Sequence, residues 1–209
     1  MSEKRIFMDE LEHGVRTLVR RDQKIRDLKR AHGIPSFRPH GRYFEILVRS
    51  ILSQQISGSA AKTIIGSLRA ELGNLNDPRL LAALPDEVLR SCGVSSQKLG
   101  YLRSLTDHVF DKRLKLRRFS QLPDEEIVAE LTDVKGIGLW TAKMFLIFSL
   151  GRLDVLAYED LGVQHGVRIA YGFDDMPTKS EIETLAQENR WEPYRSIACW
   201  YMWRAIEKR

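Results

Sequence analysis

Apolar residues recur along this chain at three- and four-residue intervals, and no stretch alternates apolar with polar residues as a half-buried strand must. Such a chain can bury its apolar surface only by packing helix against helix. The expected fold is all-α.

The individual stripes support that reading. Leu11, Val15, Leu18, Val19, Ile25 and Leu28 form one helical stripe over residues 9–31. Its other face carries Arg16, Arg20, Arg21, Lys24, Arg26, Lys29 and Arg30, interrupted by Asp22 and Asp27, and reads as a solvated surface. Tyr43 to Leu52 is apolar nearly all round and belongs in a core. Ser57 is placed to cap a helix bearing Ala61, Ile64, Ile65, Leu68 and Leu72, stopped by Gly73. Leu84-Pro85-Asp86-Glu87 returns as Leu122-Pro123-Asp124-Glu125, two helix starts with proline in the first turn and acids at the positive end of the dipole. A basic run from Lys112 to Arg118 reads as an exposed connection, and Ala142 to Leu150 as a central helix. Asp160 can cap a helix over 161–171, Thr178 to Glu181 is a capping box, and a last helix runs from Pro193 to Lys208.

At 209 residues with 43% hydrophobic content the chain can bury a substantial core, and a formal charge of +5 points mildly toward a polyanionic partner. Cys92 and Cys199 are too few for a four-cysteine cluster and are expected as two buried thiols. No stretch has the length of a membrane span, and no signal-peptide core follows the charged N-terminus, so the expected location is the cytoplasm, or the nucleus in a eukaryote.

One segment stands apart. Val134-Lys135-Gly136-Ile137-Gly138 places two glycines around one apolar residue between two helices. Glycine admits positive φ and close backbone approach, and the following helix start suits a phosphate. Ile137 would pack back between the helices. Shortly after comes Asp154-Val155, then Glu159, Asp160, Leu161 and Gly162. This order, Val-x-Gly-Ile-Gly-x-Trp-Thr-Ala, an apolar helix, then Asp-Val-x-x-x-x-Asp-Leu-Gly, resembles the helix-hairpin-helix DNA glycosylases, in particular their 3-methyladenine branch. Residues 51–57 and 191–204 are similar to that branch as well, so the resemblance covers about residues 40–205.

The resemblance implies a two-lobed helical fold with the active-site cleft between lobes: one lobe from 1–40 and about 155–209, the other about 41–154 with hairpin 131–142. It implies a monomer that flips an alkylated purine out of double-stranded DNA and hydrolyses the glycosidic bond. Asp160 is then the catalytic carboxylate, able to stabilise an oxocarbenium-like sugar or orient water; Asp154 supports the loop. Trp140 stands where relatives that also nick DNA carry a lysine, which implies no lyase step. Trp140, Met144, Tyr158, Leu161 and one of Trp191, Trp200 or Trp203 would line the base pocket, where an aromatic face attracts a cationic purine. Gln54, Gln55, Ile56 and Ser57 would contact DNA at the gap left by the flipped base, and Lys135, Gly136, Gly138 and Thr141 its backbone. Main-chain carbonyls of Thr132, Val134 and Ile137 would hold a structural Na+ or K+, with no cofactor in the chemistry.

Two departures concern proline. Lys135 stands where relatives often have proline, and Leu156-Ala157 replaces Phe-Pro, so both segments are expected to be looser. Met144 stands where an aromatic can line the pocket. No long N-terminal extension precedes the motifs, so the β-rich domain of some larger relatives is expected to be absent. The rival reading is a hairpin module that binds duplex DNA without catalysis.

Overall fold

The computed structural model describes residues 3–37 and 39–207, and all regular structure among them is helical. In chain order the helices are α1 Glu3–Arg21, α2 Gln23–His32, α3 Tyr43–Ser53, α4 Gly58–Leu72, α5 Pro78–Ala83, α6 Asp86–Ser91 and α7 Ser96–Phe110. After a 3₁₀ turn, Leu116–Arg118, come α8 Asp124–Thr132, α9 Leu139–Phe148, α10 Leu161–Tyr171, α11 Lys179–Glu188 and α12 Arg195–Ala205. No described helix is long and apolar enough to cross a membrane. The chain divides into two units, Met1–Pro39 with Leu146–Arg209 and His40–Phe145.

In the first unit the stripe over 9–31 becomes two helices instead of one, because Asp22 leaves helical geometry (φ −128°, ψ 116°) and caps α2. Its Oδ1 accepts from the backbone N–H groups of Lys24 (2.8 Å) and Ile25 (3.2 Å). Its Oδ2 accepts from Tyr171 Oη (2.5 Å) and Trp191 Nε1 (2.8 Å). Burial, then the charge of Asp22, drives the Tyr171 phenol far above its ordinary range, so it stays a donor. Trp191 is thereby a fully buried core residue and not a pocket wall. The sequence pattern missed this because an acid on a basic face looks solvent-facing, whereas Asp22 is 1% exposed.

Helix α12 runs through the centre of this unit, with Ile197 to Met202 all buried and α2, α1 and α10 packed on it. It begins at Arg195, after Pro193, and its expected last residue, Lys208, lies outside the described residues. The α10 crossing is the closest: a Cβ at Gly166 would lie 2.0 Å from the Met202 carbonyl oxygen.

In the second unit α3, α5 and α6 pack on α7 and α4 packs on α3, over a core that includes Leu47, Ile51, Leu68, Leu102, Leu105 and Phe119. The repeated Leu-Pro-Asp-Glu sets the same local geometry twice. Pro85 and Pro123 are extended N-caps, one position earlier than expected, with the acids in the first turn behind them. Each short helix then turns on a glycine of positive φ, Gly93 (90°) or Gly136 (85°), followed by a buried Val94 or Ile137. The basic residues of the run, Lys112, Arg113, Lys115, Arg117 and Arg118, are exposed as expected, while Leu114 among them is buried and Arg113 and Lys115 pair with Asp133 and Glu130. Helix α5 was not foreseen; its signal is Asp77 capping a helix with Pro78 at its start. Helix α9 starts at Leu139, directly from the turn and earlier than Ala142.

Candidate active site and nucleic-acid interface

The hairpin turn is shaped by one face of α7. Tyr101, Ser104 and His108 lie three and four residues apart and so share that face. A Cβ at Gly136 would fall 2.3 Å from the Tyr101 ring, so the ring seats against a position only glycine fills at φ 85°. Ser104 Oγ accepts from the Lys135 backbone N–H (3.1 Å). His108 Nε2 lies 3.0 Å from Asp133 Oδ2, and its Nδ1 2.7 Å from the Ser104 carbonyl. Arg113 Nη1 donates to the same Asp133 oxygen (3.2 Å). Ile137 is 4% exposed and closes the turn from inside, as the pattern predicted. A polar hollow of about 410 Å³ flanks the turn, lined by Ser104, His108, Arg113, Asp133 and Lys135 among others. Outward from the turn stand Lys135, Gly138, Leu139 and Trp140, the last 47% exposed. Thr141 is the exception in the expected DNA-contact set. It is buried, because α9 has already turned that position into the core.

The loop after α3 belongs to the same surface. Gln54 Nε2 donates to the Gly136 carbonyl (2.7 Å), tying this loop to the turn, so its amide is committed within the protein. Gln55 takes φ 55° and is exposed, Ile56 is exposed beside it, and Ser57 Oγ caps α4 by accepting from the Ala60 N–H (3.2 Å). The same α7 face contributes Lys98, whose Nζ donates to the Leu52 carbonyl at the end of α3 (2.7 Å) and whose ammonium burial shifts downward.

In the first unit, α12 does for the acidic segment what α7 does for the turn. Arg195 grips Asp154 through Nε (2.8 Å) and Nη2 (3.0 Å). Ser196 Oγ donates to the Arg152 carbonyl (2.7 Å) and accepts from the Val155 N–H (2.9 Å). Cys199 Sγ accepts from the Ala157 N–H (3.5 Å). Trp203 Nε1 donates to Asp160 Oδ1 (2.7 Å). Residues 196, 199 and 203 face one way on a helix, so the extended segment is laid out along a ruler. Asp160 closes it: Oδ1 also accepts from the Val163 N–H (2.9 Å), making Asp160 the N-cap of α10. Trp203 is held in turn by stacking on Phe148 (5.4 Å, 29°).

Gly162 is what lets these groups meet. A Cβ there would lie 2.8 Å from Trp203 Cδ1 and 2.9 Å from Asp160 Oδ1. Both departures from proline also acquire a purpose: the N–H groups of Lys135 and Ala157 each make a hydrogen bond that proline could not.

The other expected residues fall in different settings. Leu161 is 67% exposed next to Asp160, and Met144 is partly buried. Tyr158 is partly buried and carries the Lys179 ammonium 4.5 Å from its ring centroid, so one of its faces already holds a cation. Trp200 is buried between an edge contact with Tyr201 and the Arg204 guanidinium, which makes it core in character. The Val134 carbonyl accepts from the Ile137 N–H (3.0 Å), and Thr132 Oγ1 donates to the Val128 carbonyl (2.8 Å). No group of three or more His, Cys, Asp or Glu among the described residues is disposed to hold a metal. Arg195, Ser196 and Cys199 are supports the sequence reading misses, and their signal is the helical spacing within 195–203; Gly162 stands in the Asp-Leu-Gly motif without a role assigned to it there.

Residues 48–193 match the model of the HhH-GPD superfamily base excision DNA repair proteins, and the chain belongs to this family. DNA-3-methyladenine glycosylase 1 of Schizosaccharomyces pombe is 32% identical over 164 residues, spanning 77% of this chain and 71% of that protein. Among solved structures, a DNA-3-methyladenine glycosidase from Bacillus halodurans aligns with a TM-score of 0.84 at 36% identity, covering 92% of this chain and 88% of that one. The S. pombe 3-methyladenine DNA glycosylase Mag1, in complex with abasic DNA, aligns with a TM-score of 0.76 at 29% identity, covering 94% of this chain and all of that one (100%).

Proposed function

We propose that this protein is a monofunctional DNA glycosylase of the 3-methyladenine type. It extrudes an alkylated purine from double-stranded DNA and hydrolyses its N-glycosidic bond, leaving an abasic site for base excision repair. The observation that carries the reading is the fixing of Asp160: one carboxylate oxygen receives two N–H donors, from Trp203 and from the start of α10. The carboxylate is thereby oriented before substrate arrives, which is what stabilising a developing positive charge requires.

The chemistry follows from the substrate class. A purine alkylated at N3 or N7 is cationic, so when the bond from C1′ breaks the electron pair leaves with the base, which departs neutral. The sugar becomes oxocarbenium-like, and the Asp160 carboxylate opposes that charge. Water adds at C1′, and the proton it loses passes to the carboxylate or to solvent. Trp140, an exposed aromatic, offers its face to the cationic base, and as an indole it cannot form a Schiff base with the sugar. Lys135, Gly136 and Gly138 of the turn meet DNA phosphate, and Gln55 and Ile56 stand at the gap. The Val134 carbonyl keeps a second lone pair beside its bond from Ile137, so with Thr132 and Ile137 it could complete a site for Na+ or K+ that plays no part in hydrolysis. The protein acts as a monomer where the genome lies, in cytoplasm or nucleus.

A duplex with one 7-methylguanine tests the reading. Strand breaks appearing only after alkali, with no borohydride-trapped adduct, are expected; breaks without alkali together with a trapped adduct would replace it with a lyase. Trp203→Phe keeps a ring on Phe148 and removes the N–H. Losing one hydrogen bond to a charged group, about 1.5–3 kcal/mol, should lower single-turnover release roughly 10- to 150-fold with little change in DNA affinity. An equal loss in affinity would make Trp203 a base contact instead of a positioning residue.

A further inference from the structure

Glu45 sits in the first turn of α3 with its side chain 5% exposed. Three guanidinium groups converge on it: Arg42 Nη2 is 2.5 Å from Oε2, Arg69 Nη2 bonds Oε1, and Arg49 Nη1 is 3.7 Å from Oε1. The Arg42 contact is an ion pair without hydrogen-bond alignment, and Oε2 makes no aligned hydrogen bond. One bidentate arginine would satisfy one carboxylate. Three leave surplus positive charge, and each of the three side chains is about half exposed, so the surplus faces solvent. Their mutual repulsion is relieved by a polyanion.

The surrounding sequence is biased the same way. Residues 46–70 hold no Asp or Glu, the longest such stretch in a chain with 28 acids, and residues 134–153, which include the hairpin turn, form the next longest. The Gln54 side chain joins the two stretches at Gly136. Arg42, Glu45, Arg49 and Ser53 share one face of α3, which leads directly to Gln54. On α4, Lys62, Gly66 and Arg69 share a face, and every exposed position from Gly58 to Ala70 is small, hydroxyl-bearing or basic. Gly66 has open space where a side chain would begin, which lets a backbone approach.

We infer that Arg42, Arg49, Arg69 and Lys62 form a second phosphate-binding site for duplex DNA, separate from the hairpin turn. Its ligand is the phosphodiester backbone, and Glu45 acts as the post that orders the arginines. Along α3 Glu45, the centre of the site, lies about 13 Å from Gln54, a distance of roughly four base pairs, so the site grips DNA beyond the lesion. The inference rests on the duplex-DNA reading above.

The test is the salt dependence of binding to a long duplex with a central abasic-site analogue, for the unsubstituted chain, an Arg49→Gln/Lys62→Gln pair, and Lys62→Gln alone. Arg49 is the loosest Glu45 partner, so Arg42 and Arg69 still neutralise the carboxylate. Each lost phosphate contact should flatten the slope of log K against log salt by about 0.9, hence roughly 1.8 for the pair and 0.9 for Lys62→Gln. An Arg16→Gln/Arg30→Gln pair removes equal charge from the α1–α2 face and should leave the slope unchanged. Equal flattening by both pairs, or by neither, overturns the site. Base release from methylated duplex by the unsubstituted chain reports separately on the glycosylase reading. Release with an unchanged slope sinks only the second site, and a flattened slope without release sinks only the glycosylase.

Discussion

Asp160→Asn is expected to reduce single-turnover base release by about 10²–10⁴-fold while DNA affinity and melting temperature stay close to those of the unsubstituted chain. Asparagine keeps an Oδ1 that accepts from Trp203 and Val163, and it is as good an N-cap as aspartate. The substitution therefore removes the charge and keeps the architecture. Folding can be followed by thermal unfolding, affinity with an abasic-site analogue, and turnover with protein in excess over a methylated duplex. A variant that still releases base within tenfold of the original rate would take Asp160 out of the chemistry and leave it a helix cap.

The second large effect falls on folding. Gly166→Ala is expected to destabilise the first unit by about 3 kcal/mol or more, as insertion into a packed contact does when it cannot be absorbed. The Cβ would meet the Met202 backbone, its carbonyl carbon at 2.5 Å and its oxygen at 2.0 Å, and backbone cannot swing aside as a flexible side chain can. α10 carries Asp160 at its start and α12 carries Trp203, so prising them apart should also cost activity in whatever fraction stays folded. Urea unfolding checks this. A midpoint shift worth less than about 1 kcal/mol, read through the linear dependence on denaturant, would mean that the crossing has slack.

What the sequence made legible was local. Helix starts with their own side-chain chemistry, such as Ser57, Asp160 and the Thr178–Glu181 box, formed where expected because a cap is decided within a few residues. The hairpin was legible for the same reason: Gly136 needs positive φ, and Ile137 needs burial. The failures concern partners distant in sequence. Asp22 looked like a surface acid until Tyr171 and Trp191 came to meet it. Trp191 looked available for a base until its indole N–H was spoken for. Thr141 lay in a motif whose neighbours face outward, yet one step along a helix turns a side chain by about 100°. The replaced prolines looked like loosened turns because nothing nearby could use the regained N–H groups. Ser104 and Cys199, which use them, lie 31 and 42 residues away.

The reaction proposed for this chain severs the bond between an alkylated purine and its sugar. The most direct measurement incubates the unsubstituted protein with methylated duplex DNA and separates free bases by chromatography. Free 3-methyladenine or 7-methylguanine is expected to accumulate in proportion to protein, with a matching count of alkali-labile sites. Salt-sensitive duplex binding with no free base from any alkylated substrate would contradict it and leave a hairpin module that holds DNA without cutting the glycosidic bond.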